Sequence, residues 1–184
     1  MKILSGEHGE WMKQTNFELA THTPLMIHIP GLTEKGIVSE HLTEFVDIFP
    51  TLVEAAGLPA IPLCPENSTE VKVCREGMSL MPLISDPQHI DWKTRVFSQY
   101  PRGKDVMGYS MRTEHFRYTE WVGFLSEPEY TPVWSDLVGT ELYDHRVDPG
   151  ENKNVADLAE YNEIQKDLKG WLHKGWRHAH VSMA

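Results

Sequence analysis

Eight residues near the start of the chain, Gly-Glu-His-Gly-Glu-Trp-Met-Lys (6–13), crowd two carboxylates, an imidazole and an ammonium into one short stretch punctuated by glycines. Glu7, His8 and Glu10 are metal-ligand types. Spacings of one and three residues in a loop make a poor chelating claw, so His8 is expected to serve the local structure through hydrogen bonds. Lys13 offers a point charge suited to an anion; taken alone, a lysine on a polar stretch is a solvated surface group. Trp11 is expected to pack or to border a cleft.

A second group lies at Cys64 and Cys74, which bracket "CPENSTEVKVC". Two free thiols are one reading. The other is a disulfide formed in an oxidising compartment, to which the sequon Asn67-Ser68-Thr69 inside the same loop points. No Cys-x-x-Cys spacing is present, which argues against a thiolate zinc site. Arg102 and Lys104 stand together in "YPRGKDVMG" (100–108), where isolated hairpin charge is the plain alternative to an anion contact. His28 reads as a core-edge histidine in a strand. His173, His178 and His180 read as a solvated basic end, favourable at a helix C-terminus.

These groups need elements to hold them. "PLMIHIPG" (24–31) is a short apolar run bounded by turn residues and predicts a buried strand. Leu42, Phe45, Val46, Phe49, Leu52, Val53 and Ala56 recur at helical spacing. Pro50 is tolerated only in a first turn and Gly57 ends the run, so the helix is expected over 47–56 with Asp47 as N-cap. Pro59, Pro62, Pro65, Pro82 and Pro87 mark a long surface connection. Strands follow at 95–100, on either side of a turn at Glu114-His115, and at 140–145. An apolar stripe from Val155 through Leu158, Tyr161, Ile164, Leu168 and Leu172 predicts a helix over about 155–174. The expected organisation is an α/β part over 1–90 and an antiparallel sheet carrying a C-terminal helix over 91–184.

The totals set outer bounds. The 184 residues carry a formal charge of −10, which argues against a general nucleic-acid partner but leaves room for an anionic substrate in a local cationic pocket. No apolar run has the length of a membrane span, so no membrane partner is expected. Met1–Leu4 lack the apolar stretch and cleavage site of a signal peptide.

The opening block with "NFELATHTPLMIHIPG", the "VDIFPTLVEAAGL" helix, the Cys64–Cys74 loop followed by "CREG", and the segments "FSQYPR", "MGYSMRTEHFRYTEWVGF" and "ELYDHRVDPGENKNVAD" resemble the sulfatase family of the alkaline-phosphatase-like superfamily, and within it the iduronate 2-sulfatase branch. The resemblance runs through almost the whole chain. It implies the C-terminal portion of a sulfatase-type α/β domain plus a small antiparallel subdomain. It also implies a sulfuric-ester hydrolase acting on sulfated uronic acid residues of glycosaminoglycans such as heparan or dermatan sulfate, in a lysosomal or secreted setting. In that family the cysteine of Cys-x-Pro-Ser-Arg is converted to formylglycine, whose hydrate attacks sulfur beside a calcium ion, while cationic side chains hold the sulfate oxygens.

Lys13 matches the family's sulfate-contacting lysine, and Arg102 and Lys104 lie in the loop that shapes the sugar pocket, here shorter. Cys64 and Cys74 match a family disulfide, with Asn67 as the glycosylation candidate between them. Neither cysteine matches the nucleophile motif, and the metal aspartates have no counterpart. The resemblance therefore implies a segment that lacks catalytic residues and coordinates no calcium completely, completed by an N-terminal portion of the enzyme. The rival expectation is a non-catalytic remnant or a carbohydrate-binding fragment.

Overall fold

The computed structural model describes residues 6–89 and 91–178. Met1–Ser5 and His180 lie outside the described residues. The chain packs as two units: residues 6–25 join 95–178 in one, and residues 26–94 form the other.

The first unit is built on an antiparallel meander of β1 (Arg95–Arg102), β2 (Val106–Thr113), β3 (Phe116–Leu125) and β4 (Thr131–Asp144), in the order β1-β2-β3-β4. The β1–β2 turn uses Gly103 at φ 65°, a left-handed conformation that glycine adopts without steric cost. The two-residue turn at Glu114-His115 sets the register of β2 on β3, with Met111 opposite Tyr118 and Ser110 opposite Thr119. Because side chains alternate across a sheet, these pairs lie on opposite faces. Met111, Tyr118 and Leu142 share one face and are fully buried in a cluster with Leu168 and Leu172 of the helix Asn162–Lys174. Ser110, Arg117 and Thr119 occupy the other face, where residues 15–21 lie against the sheet through Asn16, Glu18 and Thr21.

The predicted C-terminal helix starts later than its apolar stripe suggests. Val155 donates its N–H to the Leu142 carbonyl, and the Asn154 side chain accepts from the Leu142 and Ala156 amides. Those bonds tie 154–156 to β4 and compete with helical pairing. Gly175, at φ 82°, follows the last helical residue. His173 is not a solvated end group. Its Nε2 lies 2.6 Å from Oε2 of fully buried Glu120, and its ring packs on Trp134 at 4.3 Å. His178 is exposed.

In the second unit the predicted helix forms over Ile48–Ala55 with Asp47 at its N-cap, and Pro50 falls in the first turn. The face it buries is unexpected. Asp47, Pro50 and Thr51 are buried, whereas Phe45, Phe49 and Leu52 stay 64%, 46% and 58% exposed. Polar side chains organise the inner face. Asp47 accepts from the Glu44 and Met78 amides, and Thr51 Oγ1 accepts from Leu80 N and donates to the Asp47 carbonyl. Leu80, Leu83 and Trp92 form a small core, flanked by Ile27, Met78 and Ile84.

The run 24–31 is not a buried strand. It carries no regular secondary structure over 24–29 and ends in a turn at 30–31, Met26 is 91% exposed, and His28 is exposed as well. An apolar run of this kind becomes a strand only when neighbouring strands cover it, and no described strand pairs with it.

Cys64 and Cys74 are bonded, with Cα atoms 4.8 Å apart. Closing so short a loop restricts the unfolded chain modestly, so reduction is expected to cost about 2–3 kcal/mol. Urea titrations with and without a reductant check this; equal midpoints would contradict it.

Candidate functional site

The opening block folds as a tight knot of backbone. Gly6 and Gly9 take φ of 113° and 73°, and His8 sits at φ 55°. Gly6 N donates to the Glu10 carbonyl, Gly9 N to the Gly6 carbonyl, and Glu10 N to the Glu7 carbonyl. The glycines thus serve a reversal, for which residues with a Cβ are poorly suited. The His8 ring stacks on Phe17 at 4.2 Å, so its structural role is one of ring packing. Trp11 is 73% exposed.

Beyond the knot, Glu10 meets Arg102 of β1 at 2.9 Å, and Arg102 also donates to the Gln14 carbonyl at 3.3 Å. Asn16 then spans two strands, donating to the Gly108 carbonyl at 3.0 Å and accepting from Ser98 at 3.1 Å. Ser98, Gly108 and Arg102 therefore tie the segment that carries Lys13 to one face of the sheet. Gly108 is required there, because a Cβ would overlap the Trp121 ring. Lys13 itself is exposed and forms no ion pair among the described residues. Lys104 is exposed in the β1–β2 turn. Lys13 and Arg102 are thus brought to neighbouring positions within one unit, while Cys64, Cys74 and Asn67 belong to the other. Asn67 is exposed; its Oδ1 accepts from Thr69 N and Oγ1.

A cluster that sequence reasoning missed lies beside this segment. Arg117 Nε meets Glu151 Oε1 at 2.6 Å, and its Nη2 meets Glu18 Oε2 at 2.6 Å. Arg112 reaches Glu18 at 3.1 Å and His145 reaches Glu151 at 2.7 Å. Burial raises the Glu151 pKa, but the His145 hydrogen bond and the Arg117 charge outweigh it and hold the carboxyl below its ordinary value. Glu18 follows the same pattern, with burial opposed by Arg117 and Arg112.

Glu18, His145 and Glu151 converge closely enough to hold a metal ion. Their carboxylates already balance two guanidinium groups, and a cation would have to displace them. The donor set does not fit the calcium ion that the sulfatase resemblance implies, which calls for uncommitted oxygen ligands. The partners stand far apart in sequence (Arg117 lies 99 residues from Glu18), so no spacing announces the cluster.

Residues 6–177 match the family model described as N-sulphoglucosamine sulphohydrolase, C-terminal. The chain belongs to this sulfatase family. The iduronate 2-sulfatase of Mus musculus is 36% identical over 215 residues, covering 89% of this chain and 38% of that protein, a C-terminal part of it. The N-acetylglucosamine-6-O-sulfatase of Bacteroides thetaiotaomicron is 28% identical, covering 89% of this chain and 26% of that protein. This sulfatase segment thus spans well under half the length of these curated relatives. The solved phosphonate monoester hydrolase of Agrobacterium radiobacter aligns over 73% of this chain and 25% of its own, with a TM-score of 0.50 and 22% identity, a likeness of fold. The family resemblance and the fold class read from the motifs are borne out.

Proposed function

We propose that this chain is the C-terminal part of a sulfuric-ester hydrolase that removes sulfate from sulfated uronic acid residues of glycosaminoglycans such as heparan or dermatan sulfate. The observation that carries the reading is Lys13: an exposed lysine with no ion pair among the described residues, on a segment tied to the sheet on both sides, in the block that resembles the sulfate-contacting stretch of sulfatases. A lysine meant for a sulfate oxygen must not already be neutralised, and Arg102 engages Glu10, the carboxylate three residues before it. The uronic acid is favoured over glucosamine by the higher identity to the iduronate 2-sulfatase than to the glucosamine sulfatase.

In this reading the nucleophile and the calcium ligands come from an N-terminal portion of the enzyme. The bond between Cys64 and Cys74 leaves neither as a free thiol, which supports a nucleophile supplied from elsewhere in the enzyme and a segment that does not turn over alone. The exposed stripe of Phe45, Phe49 and Leu52 supports such a partner, because a helix that leaves its apolar residues in water is commonly covered by another surface. The disulfide, and the exposed sequon at Asn67 as a glycosylation site, favour a lysosomal or secreted setting.

The test is release of inorganic sulfate from a 2-O-sulfated iduronate disaccharide by the enzyme that carries this segment. Lys13→Ala is expected to lower kcat by about 10²–10³, the scale of one lost oxyanion contact, because a fixed positive charge matters most as charge shifts in the transition state. Its melting should change by less than about 0.5 kcal/mol, as at an exposed position. Unchanged turnover in Lys13→Ala would overturn the assignment. Disaccharide binding without release would favour the carbohydrate-binding alternative.

A further inference from the structure

We infer that Arg102 is a positioning residue that fixes the Lys13 segment on the sheet, rather than a direct contact to the substrate. The inference rests on the sulfatase reading of Lys13 and goes beyond it by giving Arg102 a different role from Lys13. Lys13 has no ion pair among the described residues, so no side-chain partner anchors its ammonium, and the backbone fixes the point from which its flexible stem reaches.

Arg102 holds the segment on both sides of the lysine, by a side chain before it and by the backbone after it: Nη2 lies 2.9 Å from the Glu10 carboxylate oxygen Oε1 and Nη1 donates to the Gln14 carbonyl at 3.3 Å. Its guanidinium also lies over the Trp121 ring, 5.1 Å from the centroid. The planar fork of arginine suits this divided role, since two nitrogens point to separate acceptors while the flat face rests on an aromatic ring. Both Nη atoms are thereby engaged, and the charge is balanced by Glu10. Those commitments make Arg102 a poor ligand for an incoming sulfate and a good fastener for the lysine that takes one. Small misplacement of a charged group costs up to about 10² in rate, so a fastener can matter to turnover while contributing little to folding.

The first measurement uses the 184-residue chain alone, by hydrogen exchange at the amides of Gly6, Gly9 and Glu10, which donate hydrogen bonds within the block that Arg102 holds through the Glu10 carboxylate. Arg102→Gln and Glu10→Gln should each speed exchange there by roughly three- to tenfold, the scale of an exposed ion pair with one further hydrogen bond. The double variant should add little, since the two residues act as one unit. Arg102→Lys, which keeps the charge but not the fork, should recover part of the protection. Unchanged exchange in both single variants overturns the inference, whatever Lys13 does.

The second measurement is turnover in the enzyme that carries this segment. Both single variants should lower kcat by about tenfold or more with KM little changed, and their effects should not multiply. A loss confined to Arg102→Gln, with Glu10→Gln neutral, would make Arg102 a substrate contact and overturn the inference. If exchange rises as expected while Lys13→Ala leaves turnover unchanged, the sulfatase role of Lys13 fails and the fastening of its segment stands.

Discussion

Replacing Lys93 with methionine is expected to remove about 3–5 kcal/mol from the stability of the unit formed by residues 26–94. The Lys93 and Asp47 side chains are both fully buried, and Nζ lies 2.8 and 2.6 Å from the two Asp47 oxygens. Glu44 Oε2 receives the same ammonium at 2.9 Å. Methionine roughly matches the stem of lysine, so packing is largely kept and the effect isolates the charge. What remains is an aspartate in a dry site with its counter-ion gone, far costlier than the pair was beneficial. The loss also strikes the helix start, because Asp47 joins the Glu44 and Met78 amides around the N-cap. Against the typical 5–15 kcal/mol of a whole protein, such a change moves a urea midpoint by a large fraction. Adding Asp47→Asn to Lys93→Met should recover part of the loss by removing the orphaned charge. A loss below about 1 kcal/mol in the single variant would show that water reaches the site.

Arg117→Met should destabilise the sheet unit on a similar scale, about 3–5 kcal/mol, and change its response to acid. Arg117 is buried and joins Glu151, Glu18 and Thr21, so its loss strands Glu151 beside His145 and releases residues 18–21 from the sheet. The sign of the pH effect follows from the two glutamates. Burial raises the pKa of each, but the surrounding positive groups and hydrogen bonds outweigh it, so both lie below their ordinary value in the folded state.

A lowered folded pKa contributes stability that is fully present above the unfolded value of about 4.3 and is lost as pH falls through the folded values. The native protein should therefore weaken below about pH 4.3. In Arg117→Met burial is no longer offset to the same degree, the carboxyl pKa values rise, and the acid loss shrinks or reverses. The gap between the two proteins should be widest at neutral pH and narrow in acid. Chemical denaturation at about pH 7 and about pH 3.5 measures both; a gap that stays constant would show that the guanidinium does not hold these carboxylates ionised.

Residue order alone determined the local elements and the family. Pro50 and Gly57 bound the helix at 48–55, because proline fits only a first turn and glycine takes the left-handed turn after the last one. The turn at 114–115 gave the hairpin, and the motif blocks gave the sulfatase resemblance, because motifs and turns are read from residues adjacent in the chain. The tertiary structure decided everything that depends on distant partners. It left 24–31 without a ladder, turned Asp47 and Thr51 inward while Phe49 faces water, and tied 154–156 to β4 instead of the helix. It also brought Arg102 to Glu10 across 92 positions, Arg117 to Glu18 across 99, and Lys93 to Asp47 across 46. A charge shows its type in the sequence but not its counter-ion, because the partner is selected by which faces of the folded chain meet.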